Sequence, residues 1–210
     1  MTAGMLIAML VLLGLSVPVG ISVGLAAAVG VYAFTKLPLL IVVQQLFIAV
    51  DKFPLVAVPF FILAGNVMER AGISQRLVDF AKALVGGLRG GLAVTCVLTC
   101  MIFAAISGSS VATTFAIGAI LIPALARHGY PRPHAASLQA VSAELGVIVP
   151  PSIPLILHGV SAEVSIGELF IAGFGPGLLI ASALAATVLI WCRIKGWGAR
   201  DGEEAEAAAA

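Results

Sequence analysis

Charge is scarce in this chain. Asp, Glu, Lys and Arg make up 10% of its 210 residues, where a soluble domain carries about 25%. So few charges cannot cover a water-facing surface. The basic residues form no patch or stripe of the kind nucleic acid requires, so a nucleic-acid partner is excluded. Met1 to Ile21 contains no Lys or Arg. It therefore lacks the positive n-region of a cleaved signal, and the first apolar run reads as a mature span. Cysteine is rare too. Cys96 and Cys100 stand one helical turn apart in an apolar run, and Cys192 lies near the last span. No His or further Cys is close to the pair, so it reads as small packing residues rather than metal ligands.

Motifs of soluble chemistry are also missing. There is no H-E-x-x-H, P-loop or G-x-G-x-x-G, so ATP-driven transport by this chain has no support. There is no G-x-S-x-G elbow. A membrane hydrolase built on Ser109 or Ser152 with His158 ranks third among the readings, because no acid is placed to orient the base. No enzyme activity and no cofactor are expected.

What the chain has in abundance is long apolar sequence. Hydrophobic residues make up 61% and the mean hydropathy is +1.16. Several runs reach the roughly 20 residues that cross a bilayer. The fold class expected is an all-α integral membrane protein with several spans.

Charged clusters divide the chain into segments. Residues 1–68 read as scaffold helices. Within them Gly4 to Phe34, broken near Ser16-Val17-Pro18, is taken as one kinked or tilted span, with Leu37 to Val50 and Phe53 to Met68 as the next two. Residues 69–89 carry Glu69, Arg70, Arg76, Asp79, Lys82 and Arg89. Ile73, Leu77, Phe80, Ala81 and Leu84 recur there at helical spacing, which predicts an amphipathic helix along the interface. Residues 90–134 hold a hairpin and a basic loop, 135–160 a broken span, and 161–196 the last span. The acidic, Ala-rich residues 197–210 are expected to be disordered.

Two interruptions carry the functional signal. Gly90 to Ala126 runs about 37 residues without a charge, short of the roughly 40 that two spans and a turn need. Its middle is Ser107-Gly108-Ser109-Ser110. This suits a helix, a polar tip and a returning helix, hence a re-entrant hairpin. Gly108 permits the turn. Ser107, Ser109 and Ser110, with Thr113 and Thr114, supply hydroxyls, and oxygen ligands without formal charge suit a monovalent cation such as Na⁺. The serines also serve as helix caps, and capping is compatible with ion binding.

The second interruption is Val149-Pro150-Pro151-Ser152-Ile153-Pro154. Three prolines remove three backbone donors, so carbonyls near Gly146 and Val147 lose their helical partners. The half-helix that follows directs a partial positive charge at the break, where it favours an anionic group. A simple proline kink is the competing reading. Glu144, five residues earlier, is either a functional acid at membrane depth or a structural partner of Arg132 or His134. Gln44, Gln139 and Ser142 are candidates to line the interior, and Asn66 to make an interhelical hydrogen bond.

The intervals 69–89, 127–134 and 193–200 are basic, while Ser161 to Glu168 carries only acids. The positive-inside rule puts the three basic intervals in the cytoplasm. Gly90 to Ala126 must then leave and return on one side. Counting back through three spans puts the N-terminus outside.

Several segments in order carry a family resemblance: Pro59-Phe60-Phe61-Ile62-Leu63-Ala64-Gly65, Ser107-Gly108-Ser109-Ser110-Val111-Ala112, Ile120-Leu121-Ile122-Pro123, His128-Gly129-Tyr130, and above all Leu145-Gly146-Val147-Ile148-Val149-Pro150-Pro151-Ser152-Ile153-Pro154. Ser165-Ile166-Gly167-Glu168-Leu169-Phe170-Ile171-Ala172-Gly173 continues the series. The chain resembles the large membrane subunit of tripartite ATP-independent periplasmic (TRAP) transporters. The resemblance implies an ion-transporter-type repeat with a re-entrant hairpin and a discontinuous transmembrane helix, in a multi-pass protein of the bacterial inner membrane. It implies Na⁺-coupled uptake of an organic acid, such as a C4-dicarboxylate or sialic acid, with a small membrane subunit and a periplasmic solute receptor as partners. The ion and substrate site maps onto Ser107, Gly108, Ser109, Ser110, Thr113, Gly146, Val149, Pro150, Pro151 and Ser152, with Na⁺ at Ser107, Ser109, Ser110 and Val149. Subunits of this kind are usually about twice this length, with two hairpins and two broken helices. One of each is present here, so the alternative is a non-transporting half-permease or membrane scaffold.

Overall fold

Apolar runs of about 20 residues satisfy their backbone polar groups inside a membrane as helices, and the computed structural model is all-α among the described residues. It describes residues 2–88 and 90–198. The helices are α1 (Thr2–Gly14), α2 (Val19–Phe34), α3 (Leu40–Val50), α4 (Ala57–Arg70), α5 (Ile73–Val85), α6 (Gly91–Ser107), α7 (Ser110–Arg127), α8 (Arg132–Ala143), α9 (Leu145–Ile148), α10 (Ile153–Ala162) and α11 (Ile166–Lys195), with a 3₁₀ turn at Phe53–Val56 before α4. Among the described residues three helical segments are long and apolar enough to cross a membrane. The bent pair Arg132–Ile148 and Ile153–Ala162, at 40°, makes a fourth if counted as one span. The chain divides into two compact units, Met1–Phe53 and Pro54–Ala210.

In the first unit the structure corrects the expectation of one kinked span. Ser16 takes a positive φ of 62° and the chain reverses. α2 then packs back along α1, so that Gly4 meets the ring of Phe34 and Gly30 meets Met5. A missing side chain at each crossing lets the two backbones approach, the usual device where burial from water is no driving force. Residues 2–70 thus hold four helices rather than three spans. The expected outside N-terminus loses the count on which it rested.

The second unit is organised around α6. Leu92, Cys96, Val97, Cys100 and Phe103 are all buried on it, and it packs against α4, α5, α7, α8, α9 and α11. α5 forms where its pattern predicts, and Ile73, Leu77 and Ala81 of the expected face do turn inward. Ser74, Val78 and Ala81 are buried, while Phe80 and Leu84 are exposed. The exposed pair gives α5 a second apolar flank beside its charged one.

One end of this unit gathers four helix termini. A β-carbon at Gly90, just before α6, would lie 2.9 Å from Cβ of Cys192 near the end of α11. The Cys192 thiol lies 3.7 Å from the Tyr130 hydroxyl, in the loop between α7 and α8. The His134 ring, in the first turn of α8, stands 4.8 Å from Trp197 and 6.1 Å from Trp191. So α6 starts, α7 ends, α8 starts and α11 ends together. Trp197, expected at the head of a disordered tail, is half-buried against the core. The rest of that tail, 199–210, lies outside the described residues.

Candidate functional site: the hairpin tip against the helix break

From the shared end α6 and α7 run side by side to a two-residue connection. Gln139 of α8 touches both arms, at Cys96 and Cys100 on α6 and at Thr113 on α7. At the tip α6 ends on Gly108 with φ 63°, and Ser109 then turns extended with φ −135° and ψ 119°. A β-carbon at position 108 would be strained by that φ. It would also lie 2.8 Å from the carbonyl oxygen of Pro151.

The tip hydroxyls mostly serve the backbone. Ser109 Oγ accepts from the Ala112 amide at 3.3 Å and caps α7. Thr113 Oγ1 donates to the Ser109 carbonyl at 2.8 Å, and Thr114 Oγ1 to the Ser110 carbonyl at 2.8 Å. Ser107 Oγ is buried, 3.5 Å from both Thr113 Oγ1 and the Ser109 amide. The expectation that serines cap the helix ends therefore holds for Ser109. The hydroxyls of Ser107 and Thr113 and the carbonyl of Ser109 form one connected set, and each hydroxyl oxygen keeps a second lone pair.

At the other break, α9 ends at Ile148 and α10 starts at Ile153. Val149 is extended, with ψ 124°, and so is Ser152, with ψ 126°. This is unwinding over four residues, not a kink. The Pro150–Pro151 peptide bond is cis. The prolines leave the Gly146 and Val147 carbonyls without their i+4 amides. Ser152 repairs one of these. Its buried Oγ donates to the Val147 carbonyl at 2.6 Å while accepting from the Leu155 amide at 3.4 Å. The Gly146 carbonyl has Pro150 where its helical donor would stand.

The two breaks meet. The Ile153 amide donates to the Gly108 carbonyl at 3.1 Å. A β-carbon at Gly146 would stand 3.0 Å from the Ser110 nitrogen and 3.1 Å from the Ser109 carbonyl carbon. The structure thus brings together Ser107, Gly108, Ser109, Ser110 and Thr113 with Gly146, Pro151 and Ser152. Val149 and Pro150 take part differently. Both are buried, but Val149 Cγ2 faces Gly177 of α11 and Pro150 Cδ faces Gly173.

Other sequence candidates lie elsewhere. Glu144 is exposed at the α8–α9 junction. It is twelve residues past Arg132, so the two ends of α8 are separated by about 18 Å and cannot form an ion pair. His158 is exposed on α10, and the hydroxyls of Ser109 and Ser152 are committed to helix caps. Of the polar residues expected inside, Gln139 and Ser142 are buried, whereas Gln44 and Asn66 are exposed. The residue of α4 that meets the hairpin is Gly65, whose β-carbon would lie 3.3 Å from Cβ of Ser107. Sequence reasoning missed Gly65, Gly173 and Gly177. The G-x-x-x-G spacing of the last two inside an apolar helix was the available signal. A β-carbon at Gly173 would reach within 2.7 Å of the Ile148 carbonyl oxygen.

The depth of the contact follows from helix lengths. The 19 residues from Gly173 to Cys192 put the break about 28 Å from the shared end, and α10 continues about 15 Å beyond it. Together these match the roughly 40–45 Å of a bilayer with its headgroups.

Comparison with known proteins shows the family. Residues 6–210 match the family model described as "Tripartite ATP-independent periplasmic transporter, DctM component". The chain is 45% identical over 151 residues to the C4-dicarboxylate TRAP transporter large permease protein DctM of Pseudomonas aeruginosa, covering 72% of this chain and 35% of that protein. It is 44% identical over 167 residues to the isethionate TRAP transporter permease protein DctMQ of Oleidesulfovibrio alaskensis, covering 80% of this chain and 26% of that one. It is 45% identical over 147 residues to the 2,3-diketo-L-gulonate TRAP transporter large permease protein YiaN of Escherichia coli, covering 70% and 35%. The chain spans about a quarter to a third of the length of these relatives.

Proposed function

The chain belongs to the DctM family of tripartite ATP-independent periplasmic transporters, and from that premise we propose that it forms part of a large permease subunit driving Na⁺-coupled uptake of an organic acid across the bacterial inner membrane. The observation that carries this reading is the hydrogen-bonded contact between tip and break. Unwound backbone at membrane depth is tolerated where it lines a cavity or is buried in protein, and discontinuous helices are where secondary transporters hold ions and substrates. Na⁺ is the coupling ion assigned to Ser107, Ser109 and Ser110, with the carbonyls freed near Val149. These ligands are neutral oxygens, and the N-terminus of α10 adds a partial positive charge suited to the solute's acid group.

The hairpin is read as re-entrant. Its arms begin and end at the end where basic residues gather, and its tip stops about 15 Å short of the far end of α10. That end is assigned to the cytoplasm, with α5 along the interface and its Phe80 and Leu84 turned to lipid. The solute class follows the relatives named for C4-dicarboxylate, isethionate and 2,3-diketo-L-gulonate, which share an acidic group. A small membrane subunit and a periplasmic receptor complete the assembly.

A second reading rests on the elements present: the described residues hold one hairpin and one broken helix, a pair that could act as a membrane scaffold without carrying solute. One experiment separates the readings. The chain is reconstituted in vesicles with a small subunit and a receptor, and uptake of labelled C4-dicarboxylate is driven by a Na⁺ or a K⁺ gradient. Uptake with Na⁺ alone supports the first reading. Na⁺ binding without uptake supports the second, and uptake indifferent to Na⁺ defeats the ion site.

A further inference from the structure

Below the tip lies a second polar contact between the hairpin and the broken helix. The Gln139 side chain is fully buried. Its Oε1 accepts from the thiols of Cys96 at 3.1 Å and Cys100 at 3.6 Å, and its Nε2 donates to the Thr113 carbonyl at 3.4 Å. One amide thus spans α8, α6 and α7. A buried amide left without partners is costly, so this arrangement is strongly specified. Gly118 of α7 leaves the slot it occupies, since a β-carbon there would lie 3.2 Å from Cγ of Gln139.

The contact leads directly to the tip. Thr113, held by Gln139 through its carbonyl, donates its hydroxyl to the Ser109 carbonyl and faces Ser107 Oγ. The same α8, continued through α9, reaches the tip a second time through Ile153 and Gly108. Hairpin and broken helix are therefore tied at two levels, at Thr113, whose hydroxyl bonds the Ser109 carbonyl, and at Gly108, which adjoins Ser107 and Ser109. We infer that Gln139 is a positioning residue. It sets the height and rotation of Ser107, Ser109 and Thr113 against the break, and it makes the two elements move as one body. This rests on the ion-site reading above. Gln139 touches no ion itself, and it acts on the ligands as an outer-shell group acts on a metal ligand.

The test uses the full chain in lipid nanodiscs and hydrogen–deuterium exchange at the tip. Gln139→Met conserves volume and removes both polar legs, which cores tolerate. Gly118→Ala leaves Gln139 intact but fills its slot, and serves if the first variant does not fold. In choline chloride, both variants are expected to speed amide exchange at residues 109–114 by about tenfold, with α11 unchanged. In NaCl, the concentration giving half-maximal protection of those amides is expected to rise about tenfold. A packing role alone would lower the melting temperature and leave the Na⁺ midpoint in place. Folded variants with wild-type exchange in choline overturn the positioning role. If the wild-type chain shows no Na⁺-dependent protection, the ion-site reading falls, and the choline measurement still decides whether Gln139 holds the tip.

Discussion

The amide of Ile153 donates to the carbonyl of Gly108 at 3.1 Å, so the first residue of one half-helix is held by the last turn of another, 45 positions earlier in the chain. Neither group has a partner within its own helix. Gly108 lies past the end of α6, and Ile153 opens α10. Each break satisfies what the other leaves open, which is why both persist in an apolar setting.

Gly108→Ala is expected to lower stability by about 1–3 kcal/mol, because a non-glycine residue is strained at φ 63° and its β-carbon meets the Pro151 carbonyl. Thermal unfolding in detergent checks this. Gly72 has a similar φ of 72° but nothing within 4 Å, so Gly72→Ala should cost less. Equal losses would show that the tip–break contact adds nothing.

Ser152→Ala should cost about 1–3 kcal/mol, since it strands the Val147 carbonyl, for which Pro151 offers no amide. Ser182 is exposed and bonds only back to Leu179. Ser182→Ala should therefore stay within about 0.5 kcal/mol of the parent. The same unfolding measurement compares the two.

Gly173→Ala forces a β-carbon against the Ile148 carbonyl, whereas Gly175, two residues on, has open space. Overpacking predicts a loss of about 1–3 kcal/mol at 173 and little change at 175. If the order reverses, α11 does not seat the break through its glycine stripe.

Ser109→Ala removes the cap of α7, worth about 1 kcal/mol. Its effect on Na⁺ dependence should exceed its effect on the amount of folded protein. Na⁺-dependent uptake and fluorescence-detected gel filtration give the two readouts. A collapse in folded protein with unchanged Na⁺ dependence would reduce the serines to caps.

Orientation is testable by labelling. Glu163→Cys should react with an impermeant maleimide in intact spheroplasts, and Arg132→Cys only after the membrane is opened. The opposite pattern would invert the assignment of the basic end.

Much of this was legible in residues alone. A 10% charge content and long apolar runs leave only a membrane helical fold, because backbone groups in lipid admit few alternatives. Ser107-Gly108-Ser109-Ser110 and Val149-Pro150-Pro151-Ser152 were visible as breaks because glycine and proline act locally. The reversal at Ser16 was not, since a Pro and a Gly in an apolar run signal a kink and a turn alike. Nor was the outward turn of Phe80 and Leu84 on α5, which fit the helical period of Ile73, Leu77 and Ala81 yet face away from the core, because lipid rewards their exposure as much as burial.

The sequence by itself determined which residues break the helices and which intervals carry positive charge. Only the tertiary structure decided that the breaks touch, that Gly146 lets the broken helix approach the hairpin tip while Gly173 lets α11 approach the break, and that Gln139 joins both hairpin arms. Periodicity and propensity act over a few residues. Hydrogen bonds such as Ile153 to Gly108 and Gln139 to Thr113 depend on how whole helices pack, which is set by small residues far apart in the chain.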